Sequence, residues 1–508
     1  MTDTNRHRSS LIRLFGLGVM LFPLVAILFE NGRSRRTWEE YKKEWEAKGE
    51  RFDRAAFLPA AAPDAENFAA TPLLAPLLGW HFDTTNWCMA YEDPDAARRA
   101  QGLFVWLEDV VERRTKFQGA EFARIGVVED RFRRFPDAAP MEVRMMLENS
   151  RTNTAAGLLK VFELHDTAMA ELELASRRPS MVVWRGLNPA LFPESPSLWG
   201  TVRRVGAAFR ARALARLRTG DVDGALADIR TGLNVSGLFR SEPSMWSGLV
   251  RNALLRLSIE PVWEGLARHQ WEEGQIKEIE LWLGVIDLMT EGARCLRAER
   301  ADWLDLLDAL IRSPEDCFSM QFGEDHDFSS WRWTPDALFR HNQLALARLY
   351  QKTFLPPLDT TQGFLDVAAV GEWIRQEDER ETGLSDALLL HVFTWGGSAS
   401  GRAVLSFAET QAWVAMARLA CVLERYRLAA GDYPGELAAL VPEFIDAIPP
   451  DPAGGGDLHY QRTDDGRFVL YSVGRNGRDD GGKLVFYKDR LVNTWAEDCD
   501  WVWTYPVD

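Results

Sequence analysis

The chain reads as a mainly α protein with an apolar anchor at its start and a small α+β module at its end. Three observations point there. Residues 14–29, LFGLGVMLFPLVAILF, form an uncharged apolar run with arginines on both sides. Between about Asp95 and Leu310 nearly every segment repeats its apolar residues at helical steps rather than in alternation. Only after Gly431 do turn residues and short alternating runs follow one another as a small sheet requires.

The division this implies is an anchor over 1–36, a juxtamembrane helix and Pro/Ala-rich linker over 37–94, a helical domain over 95–400, and an α+β module over 401–508. A chain of 508 residues exceeds what one core usually serves, so two or three domains are expected. The formal charge of -16 argues against a nucleic-acid partner, because a phosphate-binding surface needs a basic stripe. Lys and Arg are instead interleaved with Glu on helical faces, the pattern of solvated surface. The five cysteines (Cys88, Cys295, Cys317, Cys421 and Cys499) show neither zinc spacing nor a dense disulfide framework, and Cys421 falls on an apolar helix face.

The apolar run reaches a bilayer span at the short end of the usual range once Leu11 and Ile12 are counted. Glu30, Asn31 and Gly32 follow it instead of a small-residue cleavage site, so an uncleaved signal anchor is expected. Next, TWEEYKKEWEAKGE places Trp38, Tyr41 and Trp45 on one face of a polar helix, either at the membrane interface or against the next domain. Residues 58–78 are rich in proline and alanine and read as a turn-prone linker.

Within the helical domain, Val202, Val205, Phe209, Ala213 and Leu217 make one stripe, and Gly220 fits the left-handed stop after it. Asp221 caps a second helix whose Val222, Ala225, Ile229 and Leu233 share a face. This hairpin resembles a tetratricopeptide unit, with Ala225 and Ile229 at the packing positions, although Gly232 and Gly237 depart from the pattern and no second copy follows. Further on, Glu324, Asp325, His326 and Asp327 cluster with Trp331 and Trp333. Carboxylates beside a histidine suit acid–base work or a cation, so Glu324, Asp325 and His326 are the candidates if the chain is a hydrolase. Ser398 and Ser400 lie among glycines, yet neither the G-x-S-x-G elbow nor a phosphate loop is present, and no catalytic residue is assigned. His165, His269 and His391 sit in largely apolar settings and read as core histidines.

The last module opens with a helix from Leu405 to about Ala430, stopped by Gly431 and Pro434. A short helix in GELAALVPEF follows, then a hairpin in which Asp465 and Gly466 turn His459–Gln461 onto Phe468–Tyr471. This order, YRLAAGDYPGELAAL, PPDPAGG, LHYQ and FVLYSVGRNGRDDGG, resembles the globular part of type II secretion major pseudopilins, over roughly 80 of the 508 residues. The resemblance implies a spine helix packed on an antiparallel sheet and a loop that holds calcium. Asn476, Asp479 and Asp480 fall in that loop, and hard oxygen donors on a glycine-rich backbone suit the ion. The alternative is a solvated Asx turn. No other cofactor is expected. Filament assembly does not carry over, because the apolar N-terminus lacks the pilin motif and lies far upstream of the spine.

More widely, EWEAKGE, PDAENFAATPLL, ARALARLRTGDVDGALADI, SEPSMWSGLVRNAL and DWVWTYP resemble a group of membrane-anchored bacterial proteins of planctomycete and verrucomicrobial type. That resemblance implies a single-pass inner-membrane protein with its bulk in the periplasm. The function expected is a non-enzymatic envelope scaffold with a protein partner. The alternatives are an extracytoplasmic hydrolase built from helix carboxylates and a calcium-dependent binding module.

Overall fold

The structure, a computed structural model, describes residues 3–58, 62–83, 88–105, 107, 154–183, 196–313, 334–379, 392–483, 486–487, 490–491 and 499–505, with side chains from residue 25 onward except at 82–83, 88–89, 154, 196, 378, 392–399, 486–487 and 490–491. The cluster Glu324–Asp327 with Trp331 and Trp333, and also His391 and Cys317, lies outside the described residues. So do the side chains of residues 1–24 and of Ser398. The protein is mainly helical with small antiparallel sheets.

Helix α1 (Asp3–Glu46) runs unbroken through the apolar segment into the polar one. No helix among the described residues is long and apolar enough to cross a membrane. The aromatic face of α1 packs on the body: Trp38 is buried, and Tyr41 and Phe52 meet it with ring centroids 6.4 and 6.0 Å away. Arg300 lies over Phe52, while Glu50 accepts from Arg297 and Arg300 at 3.0 and 2.9 Å.

The segment after α1 is turn-rich, as its prolines require, but it is also core. Phe68, Ala69, Leu74 and Leu77 are fully buried among short 3₁₀ turns. A two-stranded ribbon, β1 (Trp80–Asp83) with β2 (Cys88–Tyr91), then leads to α2 (Pro94–Gln101), capped by Asp93. With α3 (Thr154–Glu163) and α4 (Asp166–Ala175) these elements build a first core around Phe68, Phe104, Phe162 and Phe209. His165, at the start of α4, stacks edge-on to Phe104 at 5.7 Å, and burial lowers its pKa.

The expected hairpin forms as α5 (Pro196–Thr219) and α6 (Val222–Leu238). Gly220 takes φ +85°, the Asp221 side chain accepts from Gly224 N–H, and the stripe from Val202 to Leu217 is buried. Its arginines do not all face water. Arg212 and Arg216 both donate to the buried Asp228, and Arg210 pairs with the buried Glu260 of α7 (Met245–Ala267).

Helices α7, α8 (Glu273–Gly284), α9 (Leu288–Arg312) and α11 (Val367–Asp378) surround the longest helix of the body, α12 (Val392–Ala430), while α10 (Asp336–Leu349) packs on α1 and α9. A π-helical turn, Tyr350–Phe354, follows α10, and the two-residue strands β3 (Leu358–Asp359) and β4 (Phe364–Leu365) pair before α11. Helix α12 begins thirteen residues before the expected Leu405 and crosses the 400/401 boundary without a break. It is a wall of the body and the floor of the terminal sheet at once: β5 (His459–Arg462), β6 (Phe468–Ser472) and β9 (Trp501–Trp503) pair antiparallel in that order. Gly466 takes φ +78° in the hairpin, and His459 pairs with Tyr471 as expected. A further ribbon, β7 (Phe486–Tyr487) with β8 (Arg490–Leu491), precedes β9. The short helix expected in GELAALVPEF is only a 3₁₀ turn over Leu437–Leu440, since Gly435 and Pro442 leave too few residues for an α-helical nucleus.

The sheet is seated on α12 by aromatics. Trp503 lies 6.5 Å from Trp413, Phe468 packs edge-on to Tyr433 and Tyr505, and Trp263 of α7 donates to the Thr504 carbonyl at 3.0 Å. One hydrophobic cluster runs from Trp38 through α12 to Tyr505.

Candidate functional site

Helix α7 ends where α12 ends, and the two stops meet in a polar cluster. The α7 terminus is a Schellman motif: His269 N–H bonds the Leu266 carbonyl at 3.0 Å and Gln270 N–H bonds the Gly265 carbonyl at 2.9 Å. The left-handed position that glycine usually fills is occupied by His269, with φ +53°. Its Nδ1 lies 2.8 Å from Oε1 of Glu424, a carboxylate on α12 that is buried to 2% exposure. Arg427 donates to the same carboxylate through Nε (3.0 Å) and Nη2 (2.7 Å), and the buried Tyr433 donates its hydroxyl at 2.7 Å.

Burial alone would push the Glu424 carboxyl up. The bonds from His269, Arg427 and Tyr433 outweigh it and hold the group down at about 2. An ionised carboxylate only accepts, so the proton it shares with His269 sits on Nδ1. The ring itself is half exposed. A histidine oriented by a buried carboxylate is half of an acid–base centre, but no nucleophile contacts Nε2 among the described residues. The arrangement is thus a clamp joining α7, α12 and the first turn of the terminal module. His269 is not the core histidine that its apolar neighbours suggested.

A second cluster lies in the body. Glu299 of α9 accepts the Tyr350 hydroxyl (2.8 Å) and the Ser400 hydroxyl (3.1 Å) through one oxygen. With hydroxyls rather than cations for partners, burial pushes its carboxyl up to about 7. The Ser–Gly segment around Ser400 is therefore helical, and Ser400 serves as a hydroxyl donor to a carboxylate instead of standing on a nucleophile loop.

The glycine-rich loop after β6 brings two of the three expected ion ligands together. Asn476 donates its side-chain N–H to Asp480 at 2.8 Å, while its oxygen accepts from Arg478 N–H. Asp479 turns to the sheet instead, accepting from Gly481 N–H (2.8 Å) and the Tyr471 hydroxyl (3.1 Å), with His459 3.5 Å away. The Gly481 N–H keeps the Asp479 carboxyl below its ordinary value. Two carboxylates outside the expected set shape this loop. Buried Asp500 accepts from the N–H groups of Asp480 and Gly482, and buried Asp451 accepts from Ser472, Ala453 and Val473. Among the described residues, no group of three or more His, Cys, Asp or Glu side chains is placed to hold a metal ion.

No protein-family model matches the chain, and no curated protein or solved structure does so either.

Proposed function

We propose that this chain is a membrane-anchored, non-enzymatic scaffold of the bacterial envelope, a helical body held at the periplasmic face of the inner membrane by one spanning helix. The observation that carries this reading is the junction of α1 with the body. The helix that bears the apolar run continues without a hinge into the face formed by Trp38 and Tyr41, and that face is packed on Phe52. A polar helix locked this way delivers the body to a bilayer in a fixed pose, which suits a platform for partners better than a tethered enzyme. The terminal sheet, whose order of elements resembles pseudopilin heads, packs on the same core. Alkaline carbonate washing of membranes tests the anchor, reporter fusions test its orientation, and affinity purification from solubilised membranes tests the scaffold. Release by carbonate, or recovery of a lone monomer, overturns the reading.

The loop of Asn476, Asp479 and Asp480 supports calcium binding as an ancillary property, because Asn476 and Asp480 already meet there. Calorimetric titration of the whole protein with calcium should give heat that is lost on Asp480→Asn. Absence of heat removes the ion.

A further inference from the structure

Two boundaries coincide on α1. The first is chemical: the uncharged apolar run ends at Phe29 and the polar sequence starts at Glu30. The second is where the body begins to cover the helix. Glu30 reaches His341 of α10 at 3.2 Å, the Asn31 side chain accepts from Ala337 N–H at 2.8 Å, and Ser34 and Trp38 are buried. Immediately before that point the helix is bare, with Val25 60%, Leu28 62% and Phe29 71% exposed. Nothing in helical propensity links the two boundaries. A bilayer does, because lipid would cover what the body leaves open.

A third feature lies just beyond. Arg33, Arg35 and Arg36 are exposed on α1, roughly 6–10 Å of helical rise past Phe29, which is headgroup depth. Among the described residues Arg33 makes one loose pair, with Glu30 at 3.5 Å, and Arg35 and Arg36 make none.

We infer that the body sits flush on an anionic bilayer surface, with the plane of the headgroups at Phe29–Glu30, the amino end of α10 facing it, and Arg33, Arg35 and Arg36 binding lipid phosphates. The inference rests on the anchor proposed above and adds two things to it: there is no spacer between membrane and body, and the collar selects anionic lipid. A protein partner on the same collar is the competing occupant. The abrupt change from bare apolar helix to basic collar within two turns favours lipid, since a protein would not require both chemistries in that order.

The test uses the full chain with Cys88→Ser and Cys317→Ser, the thiols of Cys295, Cys421 and Cys499 being buried. A fluorophore is placed at Asp336→Cys, an exposed position at the start of α10. The protein is reconstituted in vesicles of phosphatidylcholine alone or with about one quarter phosphatidylglycerol. Headgroup spin labels should quench the fluorophore, and inserting seven helical residues between Phe29 and Glu30, about 10 Å of rise, should abolish most of the quenching. Enrichment of labelled phosphatidylglycerol around the protein should fall roughly fivefold or more in the Arg33→Gln/Arg35→Gln/Arg36→Gln variant. A fluorophore that is unquenched and indifferent to the insertion overturns the seat. Unchanged lipid enrichment, or crosslinking of the collar to a protein in native membranes, overturns the lipid assignment. Only protein that floats with vesicles after a carbonate wash is read, so a failed anchor is distinguished from a failed seat.

Discussion

Replacing Glu424 by glutamine leaves shape intact and removes one charge from the clamp between α7, α12 and the terminal module. The size of the effect follows from the carboxylate's own titration. Its ordinary value of 4.5 falls to about 2 in the folded chain. That difference corresponds to about 3 kcal/mol in favour of the folded state when the group is ionised. Because the folded value is the depressed one, this contribution is complete above about pH 4.5 and disappears as the pH drops towards 2. The Gln variant should therefore be about 3 kcal/mol less stable at pH 7 and progressively closer to the parent chain below pH 4.

A chain of this size need not unfold in one step, so the measurement should report on the clamp itself. Hydrogen exchange of the amides in 265–272 and 424–434 is suitable, followed alongside the melting midpoint of the purified protein from pH 7 to 3. Faster exchange in both segments at pH 7, converging with the parent at acid pH, is the expected outcome. A difference independent of pH would refute the reasoning, because it would mean that packing rather than the ionised carboxylate holds the three elements together. His269→Gly provides the complementary comparison. It relieves the left-handed strain, worth about 1 kcal/mol, while deleting the bond to Glu424. A net loss of stability shows that the bond outweighs the strain.

Three further comparisons probe the body. Asp228→Ala strands the buried Arg212 and should cost about 3–5 kcal/mol, whereas Asp223→Ala on the same helix, whose exposed carboxylate accepts from Gln275, should cost under about 1; chemical denaturation compares them. Glu299→Gln should stabilise the protein above pH 7 by about 3 kcal/mol and leave it unchanged near pH 4. The folded carboxyl titrates at about 7, so the penalty for ionising it grows as the pH rises from 4.5; a melting-temperature profile that does not steepen over this range rules the account out. Gly248→Ala would set a methyl 2.3 Å from the Phe407 ring and should destabilise by about 1–3 kcal/mol, with part of the loss recovered in the Gly248→Ala/Phe407→Leu double variant; strict additivity in that cycle excludes the clash.

What the sequence revealed depended on whether each signal was local. The α5–α6 hairpin carries its own stripe, stop and cap in 202–233, and the β5–β6 hairpin carries Asp465 and Gly466 between two alternating runs, so both were legible. The start of α12 was not. TWGGSASG argues against a helix by propensity, but Gly401 sits where a Cβ would come within 2.9 Å of the Trp373 ring, so the small residue makes room for α11 and packing outweighs propensity. The buried arginines were also illegible, because an amphipathic reading sends charge to solvent and cannot see that Arg212 and Asp228 face each other across two helices. For the clamp, no sequence feature announces that a histidine will occupy a left-handed helix stop. In the loop after β6 the glycines and acids were visible, whereas Asp500, the residue that organises their backbone, lies some twenty residues later and across a strand.

These features bear jointly on how the protein can act. Helix α12, 39 residues and roughly 58 Å long, is gripped at three levels. Phe407 is enclosed near its start by Gly248 and Gly292, Trp413 meets Trp503 in its middle, and Glu424 closes the clamp near its end. A sheet mounted on such a helix cannot swing or slide without opening the core of the body, since the same helix is wall to one and floor to the other. At the opposite end of the chain α1 is held against α10 through Asn31 and His341 and against Phe52 through Trp38. With both terminal helices locked into one core, the distance and angle from the end of α1 to the terminal sheet are set by packing rather than by a linker. A partner recognised at that sheet would therefore be held at a fixed distance and bearing from α1. This is the property that distinguishes a scaffold from a tether.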